Sequence, residues 1–352
     1  MKHVYIFLFA IALVSCQREN LTNEKVKILD GIKKDAELSK LSAAIDRAGL
    51  RSALTGTQYT FFAPTDAAFT AAGIDPNAVE PTVLLRILQY HMIPSRVDSS
   101  RFGVEFGIFN GQTAGPNWVG QLTFQGFQTL NLGLNANIYC TNATQEVPVG
   151  SGNVVGRGVF FNGASIVGFD AFEGADGVVH KINAVLLPPP GNLADVVAAD
   201  PDLSIFNKLI LKASGTGALP NFATGVLLPL PADPLTTART GTLTVLAPNN
   251  AAMNTAGVTE TFIDGATPAA CLDIARRHVV SLRTFSSDFF NNSIRPTPTI
   301  TYNTLQTGKT VTFNSDATGV FFTNALTTRA SVVSANIVAT NGVLHKLSAT
   351  IN

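Results

Sequence analysis

Gly177-Val178-Val179-His180-Lys181-Ile182 decides how this chain is read, because it recurs 165 residues later (180 to 345) as Gly342-Val343-Leu344-His345-Lys346-Leu347. Each copy holds a glycine, an apolar pair, a histidine, a lysine and an apolar residue. A period of that length marks two copies of a domain rather than a solenoid unit. A chain of 352 residues has room for both. Alternation places Val178, His180 and Ile182 on one face of a strand and Val179 and Lys181 on the other. The β-branched neighbours point His180 inward. Gly177 and Gly342, after Asp176 and Asn341, are expected to form turns of positive φ.

Outward from this stretch the halves match piece by piece. Leu38, Leu41, Ile45 and Ala48 fall at helical spacing before Gly49, and Leu203, Phe206 and Ile210 repeat that face. Thr60-Phe61-Phe62-Ala63-Pro64-Thr65-Asp66 corresponds to Thr244-Val245-Leu246-Ala247-Pro248-Asn249-Asn250. Each reads as a strand that turns at Ala-Pro and enters a helix capped by Thr65 and Asp66, or by Asn249 and Asn250. The carboxylate of Asp66 suits a helix N-terminus, so capping accounts for it without a catalytic role. A further helix carries Leu84, Ile87, Leu88 and His91 on one face, and Cys271, Ile274, Ala275 and His278 share that phase. His91 and His278 are therefore predicted to be buried, hydrogen-bonded structural residues rather than ligands. Strands follow at 158–162 and 164–167, matched by 319–323 and 330–333.

Composition narrows the function classes. Apolar residues make up 46% of the chain, charged residues only 14%, and Lys+Arg and Asp+Glu balance at 24 each. No basic stripe exists, which argues against a nucleic-acid partner. Four of the five histidines belong to the repeats, and no HExxH or close histidine pair occurs, which argues against a zinc enzyme. Gly163 to Gly168 resembles a nucleophile elbow but is one residue too long and sits among strand-like flanks. Neither a metal nor a cofactor site is expected. Cys140 and Cys271 lie in different halves without CxxC spacing. They read as buried thiols, with an interdomain disulfide as the alternative.

The start of the chain reads as an address. Residues 1–15 have a lysine and an apolar run at 4–14, too short to span a bilayer, and look like a signal peptide. Leu13-Val14-Ser15-Cys16 resembles the lipobox of bacterial lipoproteins. That resemblance implies acylation of Cys16, a tether at 16–25, and membrane attachment through lipid. Each buried methylene contributes about 0.8 kcal/mol, so two or more chains anchor durably. With no Asp after Cys16, the outer membrane is the expected location, facing either the cell surface or the periplasm.

The order Thr-Phe-Phe-Ala-Pro-Thr-Asp, then Leu-Leu-Arg-Ile-Leu-Gln-Tyr-His, then Gly-Val-Val-His-Lys-Ile resembles a fasciclin-type domain. The resemblance covers 26–190 and, less closely, 191–352, where Ala-Pro-Asn-Asn and Arg277-His278 depart from the pattern. It implies an α+β fold: two tandem fasciclin-like domains, each a β-sandwich-like wedge with helices packed at one side. It also implies a non-catalytic adhesion role, with a surface protein, matrix or glycan as partner. In animal members the Tyr-His region has been implicated in receptor contact, so Tyr90 and His91 inherit that role, with Tyr90 expected to be the accessible member. The resemblance makes Pro64, Asp66, His180, His278 and His345 motif residues with structural roles. The first half also carries an aromatic-rich insertion, roughly 102–152. If Trp118, Phe124 and Phe127 form a flat row for sugar stacking, the alternative is an accessory glycan-binding lipoprotein of an outer-membrane polysaccharide-uptake system. An enzyme is the third reading.

Overall fold

The computed structural model describes residues 26–54, 58–99, 126–128, 137–149, 152–214, 243–281, 283–286, 300–316, 319–327 and 329–352, with the backbone alone at 53, 126–128, 137–149, 152–159, 300 and 315–316. The signal segment, Cys16, Trp118 and Phe124 lie outside the described residues. Phe127 falls in a described strand, but its side chain does not.

The first half runs α1 (Ile28–Lys34), a 3-10 turn (Ala36–Leu38), α2 (Ser39–Ala48), α3 (Leu50–Ala53), β1 (Tyr59–Pro64), α4 (Asp66–Ala71), α5 (Pro81–Tyr90), β2 (Met92–Ile93), β3 (Gly126–Gln128), β4 (Asn137–Val149), β5 (Gly152–Phe161), β6 (Ala164–Gly174) and β7 (Gly177–Ile182). The second half runs α6 (Leu193–Ala199), a 3-10 turn (Pro201–Leu203), α7 (Ser204–Ala213), β8 (Leu243–Pro248), α8 (Asn250–Thr255), α9 (Glu260–Gly265), α10 (Pro268–Arg277), β9 (Val279–Val280), β10 (Ile300–Asn303), β11 (Thr310–Asp316), β12 (Gly319–Thr323), β13 (Ala330–Ala339) and β14 (Gly342–Leu347). Gly49 ends α2 at φ 65. Pro81 and Pro268 open α5 and α10, where a missing N–H costs nothing.

Two seven-stranded sheets result, ordered β2-β1-β7-β6-β5-β4-β3 and β10-β11-β12-β13-β14-β8-β9. The recurring stretch is a central strand in each. It pairs in parallel with the Ala-Pro strand, so His180 lies opposite Phe62 and His345 opposite Leu246. The helix-facing side of the first sheet packs Phe61, Ala63 and Val179 on Leu41, Ile45, Leu84 and Leu88. Its other face packs Phe62 and Ile182 on Tyr90, Phe161 and Ile166. Strands lie ~4.8 Å apart, so β1 and β5, three steps along the ladder, would be ~14 Å apart if it were flat. The rings of Phe62 and Phe161 are 4.0 Å apart. The ladder therefore curls back on itself, and a bulge in β6 between Ile166 and Phe172 supplies the bend. β13 carries the matching bulge between Val332 and Ile337. Each half is thus an α+β wedge with helices on one side. Among the described residues no helix is long and apolar enough to cross a membrane.

Two expectations do not hold. Gly177 has φ 155, but Gly342 does not have positive φ. What both positions require is close approach: a β-carbon would sit 2.0 Å from Tyr59 O at Gly177 and 2.5 Å from Leu243 O at Gly342. Asp66 does not cap its own helix. Thr65 does that, accepting from the Ala68 N–H. The Asp66 carboxylate instead accepts from the Lys40 N–H and the Ser39 hydroxyl at the start of α2. Asn250 makes the equivalent bond to the Ile205 N–H at the start of α7.

Candidate functional site

The four repeat histidines are wholly buried and form two matched pairs. His91 and His278 sit at the C-caps of α5 and α10. Their Nδ1 atoms face the carbonyls of Ile87 and Ile274 at 2.8 and 2.9 Å. Their Nε2 atoms face the N–H groups of Leu186 and Ile351 at 2.8 and 3.0 Å. A carbonyl can only accept and an amide can only donate, so each ring is neutral with its proton on Nδ1. Burial drives both pKa values down to about 4, against the smaller upward pull of the carbonyl bonds. Each ring joins the end of its helix to the segment that follows the last strand of its half.

The strand histidines use the opposite tautomer. Nε2 of His180 donates to Val97 O, and Nε2 of His345 donates to Thr284 O, each at 2.8 Å. Their Nδ1 atoms accept from the N–H groups of Asp170 and Asn336, at 3.1 and 3.4 Å, on the bulges of β6 and β13. Asp170 and Asn336 take positive φ of 44 and 60 there. Thr60 and Thr244 complete the arrangement: their hydroxyls accept from the N–H groups of Val97 and Thr284. Histidine and threonine therefore clamp one crossing segment over the sheet in each half.

The halves differ in charge at the bulge. The Asp170 carboxylate accepts from Ser99 and lies 3.7 Å from His180 Nδ1. Asn336 instead receives the Ser286 N–H and donates to the Ser286 hydroxyl. Burial lowers the His180 pKa, while the Val97 bond and the charges of Asp170 and Asp98 pull it back up. Burial drives the His345 pKa down to about 4, against the smaller upward pull of its Thr284 bond.

Sequence reading placed all four histidines in the interior, and the structure puts them there. It erred on Tyr90, which is 0% exposed and is not the accessible member of its pair. The Tyr90 hydroxyl accepts from Asn162 Nδ2 and the ring packs in the second core, so neither Tyr90 nor His91 presents a surface to a partner. Its counterpart Arg277 turns instead to Gln306. Pro64 ends β1, and His180 ring-stacks on Phe62. Cys271 is a buried free thiol. Two paired features went unread. Lys181 bonds Asp35 and Glu37, as Lys346 bonds Asp200 and Asp202. Asp176 accepts from the Ile28 N–H as Asn341 does from the Leu193 N–H, at 2.7 and 2.8 Å. The acid-x-acid spacing shared by 35–37 and 200–202 was the available signal. Among the described residues, no group of three or more His, Cys, Asp or Glu could hold a metal ion.

Comparison with known proteins matches a family model, Fasciclin domain, to residues 36–188 and 227–352. The immunogenic proteins MPB70 of Mycobacterium bovis and MPT70 of Mycobacterium tuberculosis are each 30% identical over 162 residues. The match covers 44% of this chain and 64% of each of those proteins. A FAS1 domain pair from the insect cell adhesion molecule Fasciclin I aligns over 89% of this chain and 96% of its own, at 16% identity and a TM-score of 0.38, too low to carry an argument.

Proposed function

Because the chain belongs to the fasciclin domain family, whose domains are linked to cell adhesion and extracellular proteins, we propose that it is a lipid-anchored surface protein. Its domains, 26–190 and 191–352, bind a protein, matrix or glycan partner without chemistry. The observation that carries this reading is the double family match over a duplicated interior. In both copies the histidines have both ring nitrogens bonded to backbone groups and are held neutral. Such rings hold the domain together and are not poised to move protons at a substrate. Contact then falls to the outer surfaces of two tethered modules, where tethering raises effective concentration without new contacts. Attachment through Cys16 would place both modules at the outer membrane.

Cells making the full chain are expected to incorporate labelled palmitate into it, to lose that label and the surface-bound fraction with Cys16→Ser, and to adhere less to matrix or glycan arrays when the chain is deleted. Unchanged fractionation of Cys16→Ser defeats the anchor. Robust hydrolase turnover that disappears with His180→Ala defeats the non-catalytic reading.

A further inference from the structure

A groove of about 620 Å³ lies between α2 and the end of α4 in the first half. Lys40 and Ala43 line it from α2, Thr70 from α4, and Ile74, Asp75 and Asn77 from the segment after α4. Ordinary small-ligand pockets measure about 300–1,000 Å³, so its size suits such a ligand. The Lys40 ammonium donates to the Thr70 hydroxyl at 2.7 Å, and the Asp75 carboxylate accepts from the Asn77 N–H at 2.9 Å. That second bond closes an Asx turn, which fixes the carboxylate on its loop. Among the described residues no ion pair joins Lys40 to Asp75, and neither side chain has a further partner. The ammonium therefore keeps two donors, and the carboxylate keeps an oxygen.

The halves differ at this place. α2 and α7 start in step at Ser39 and Ser204, so Ala43 and Lys208 hold the same position, each four residues on. Ile74 bonds back to Phe69 O as Val258 does to Met253 O, so Asp75 stands where Thr259 caps α9. From α9, Glu260 and Asp264 hold the Lys208 ammonium at 3.3 and 2.9 Å. In the second half a lysine thus crosses to a helix and is neutralised there. In the first half a small alanine leaves the space open, with one cation and one anion facing into it. Opposite charges in equal number favour a ligand without net charge. A hydroxyl accepts from an ammonium and donates to a carboxylate, and bonds to charged groups are the strong ones. A pyranose carries hydroxyls around its rim and C–H groups on its faces, which match Ala43 and Ile74. We propose that this groove of the first half binds a neutral glycan, with ring hydroxyls spanning Lys40 and Asp75. The inference rests on the binding reading above and names the ligand class and the half that takes it.

The test is an array of neutral and acidic oligosaccharides probed with the full chain, in a non-ionic detergent without a sugar headgroup. Binding to neutral oligosaccharides is expected, and the bound sugar is then titrated against variants. Asp75→Asn keeps an acceptor for the Asn77 N–H but loses the charge, and should weaken binding about tenfold, as for losing a hydrogen bond to a charged group. Lys40→Met should weaken it by a similar factor. Ala43→Lys, which gives the first half the second half's residue, should abolish it. Melting curves check that each variant folds, and Asp75→Asn decides the matter if Ala43→Lys melts early. Binding of a neutral sugar that Asp75→Asn and Lys40→Met leave unchanged overturns this site but not the binding reading. Binding confined to acidic sugars overturns the ligand class. An array without any bound sugar, beside cells that still need the chain to adhere to matrix protein, overturns the glycan inference and leaves adhesion standing.

Discussion

His180 and His345 do the same mechanical work under different electrostatics. Both donate from Nε2 to a carbonyl on the crossing segment and accept at Nδ1 from a bulge amide. Over His180 the bulge carries a carboxylate, and over His345 an amide. The backbone bonds are identical where the charges are not. What the duplicated fold demands is therefore a ring with one donor and one acceptor at fixed positions. The charge next to that ring is a property of each copy.

The strongest challenge to this equivalence is removal of the helix-end histidines. His91→Ala orphans Ile87 O and the Leu186 N–H, and His278→Ala orphans Ile274 O and the Ile351 N–H. Two unsatisfied backbone groups and a cavity should cost about 3–5 kcal/mol in each half. Peptide-resolved hydrogen exchange reads each half separately. A loss confined to one half's variant would show that the two rings are not equivalent supports.

Glycine replacement should separate the copies. At Gly177 an alanine β-carbon meets the backbone of Tyr59 at 2.0, 2.9 and 3.0 Å, with no flexible group to yield. At Gly342 it meets Leu243 O at 2.5 Å and the movable Leu193 Cδ1 at 2.6 Å. Gly177→Ala should cost about 3 kcal/mol and Gly342→Ala about 2, judged against ordinary overpacking penalties. Denaturant midpoints that rank them the other way would contradict the close-approach account.

Acid should open the second half first. His91, His278 and His345 titrate at about 4 folded against 6.5 for the ordinary residue. Protons therefore bind the unfolded chain more readily. The stability due to neutral burial is complete above pH 6.5 and declines as pH falls toward 4, by up to about 3 kcal/mol per ring. His180 is lowered too, but Asp170 and Asp98 oppose the shift, so the first half surrenders less over that window. Asp170→Asn gives the first half the second half's pattern, lowering the His180 pKa further and bringing the acid transitions of the halves together. Imidazole proton chemical shifts followed from pH 7 to 4 decide this. A His180 titration that Asp170→Asn does not move would remove the carboxylate from the account.

The repeat made much of this visible in advance. Period-two alternation in 177–182 and the helical phase of Leu84, Leu88 and His91 located the interior histidines, because hydrophobic periodicity reports which way a side chain faces. It does not report which backbone groups a ring will meet. The partners of His180 are 83 and 10 residues away in sequence, at Val97 and Asp170, and are joined to it only by a bulged sheet. Tyr90 was misjudged for the same reason. Its partner Asn162 is 72 residues away, on a hairpin turn that only the curled ladder brings over α5. Asp66 looked like a cap for the helix it begins because local sequence offers no view of α2 crossing beside it.

That distant cap gives the smallest and most selective comparison. Asp66 only accepts, from the Lys40 N–H and the Ser39 hydroxyl. Asp66→Asn keeps an acceptor and loses the charge facing the N-terminus of α2, which should cost about 0.5 kcal/mol, less at high salt. Asn250 accepts from the Ile205 N–H and also donates to Pro201 O and the Ser204 hydroxyl. Asn250→Asp deletes that donor and turns a carboxylate toward Pro201 O, so about 1 kcal/mol should be lost despite the favourable dipole. Melting curves at low and high salt separate the two: the Asp66→Asn loss should shrink with salt, and the Asn250→Asp loss should persist. If both shrank together, helix-end charge alone would explain the two sites, and the donated bonds of Asn250 would contribute nothing measurable.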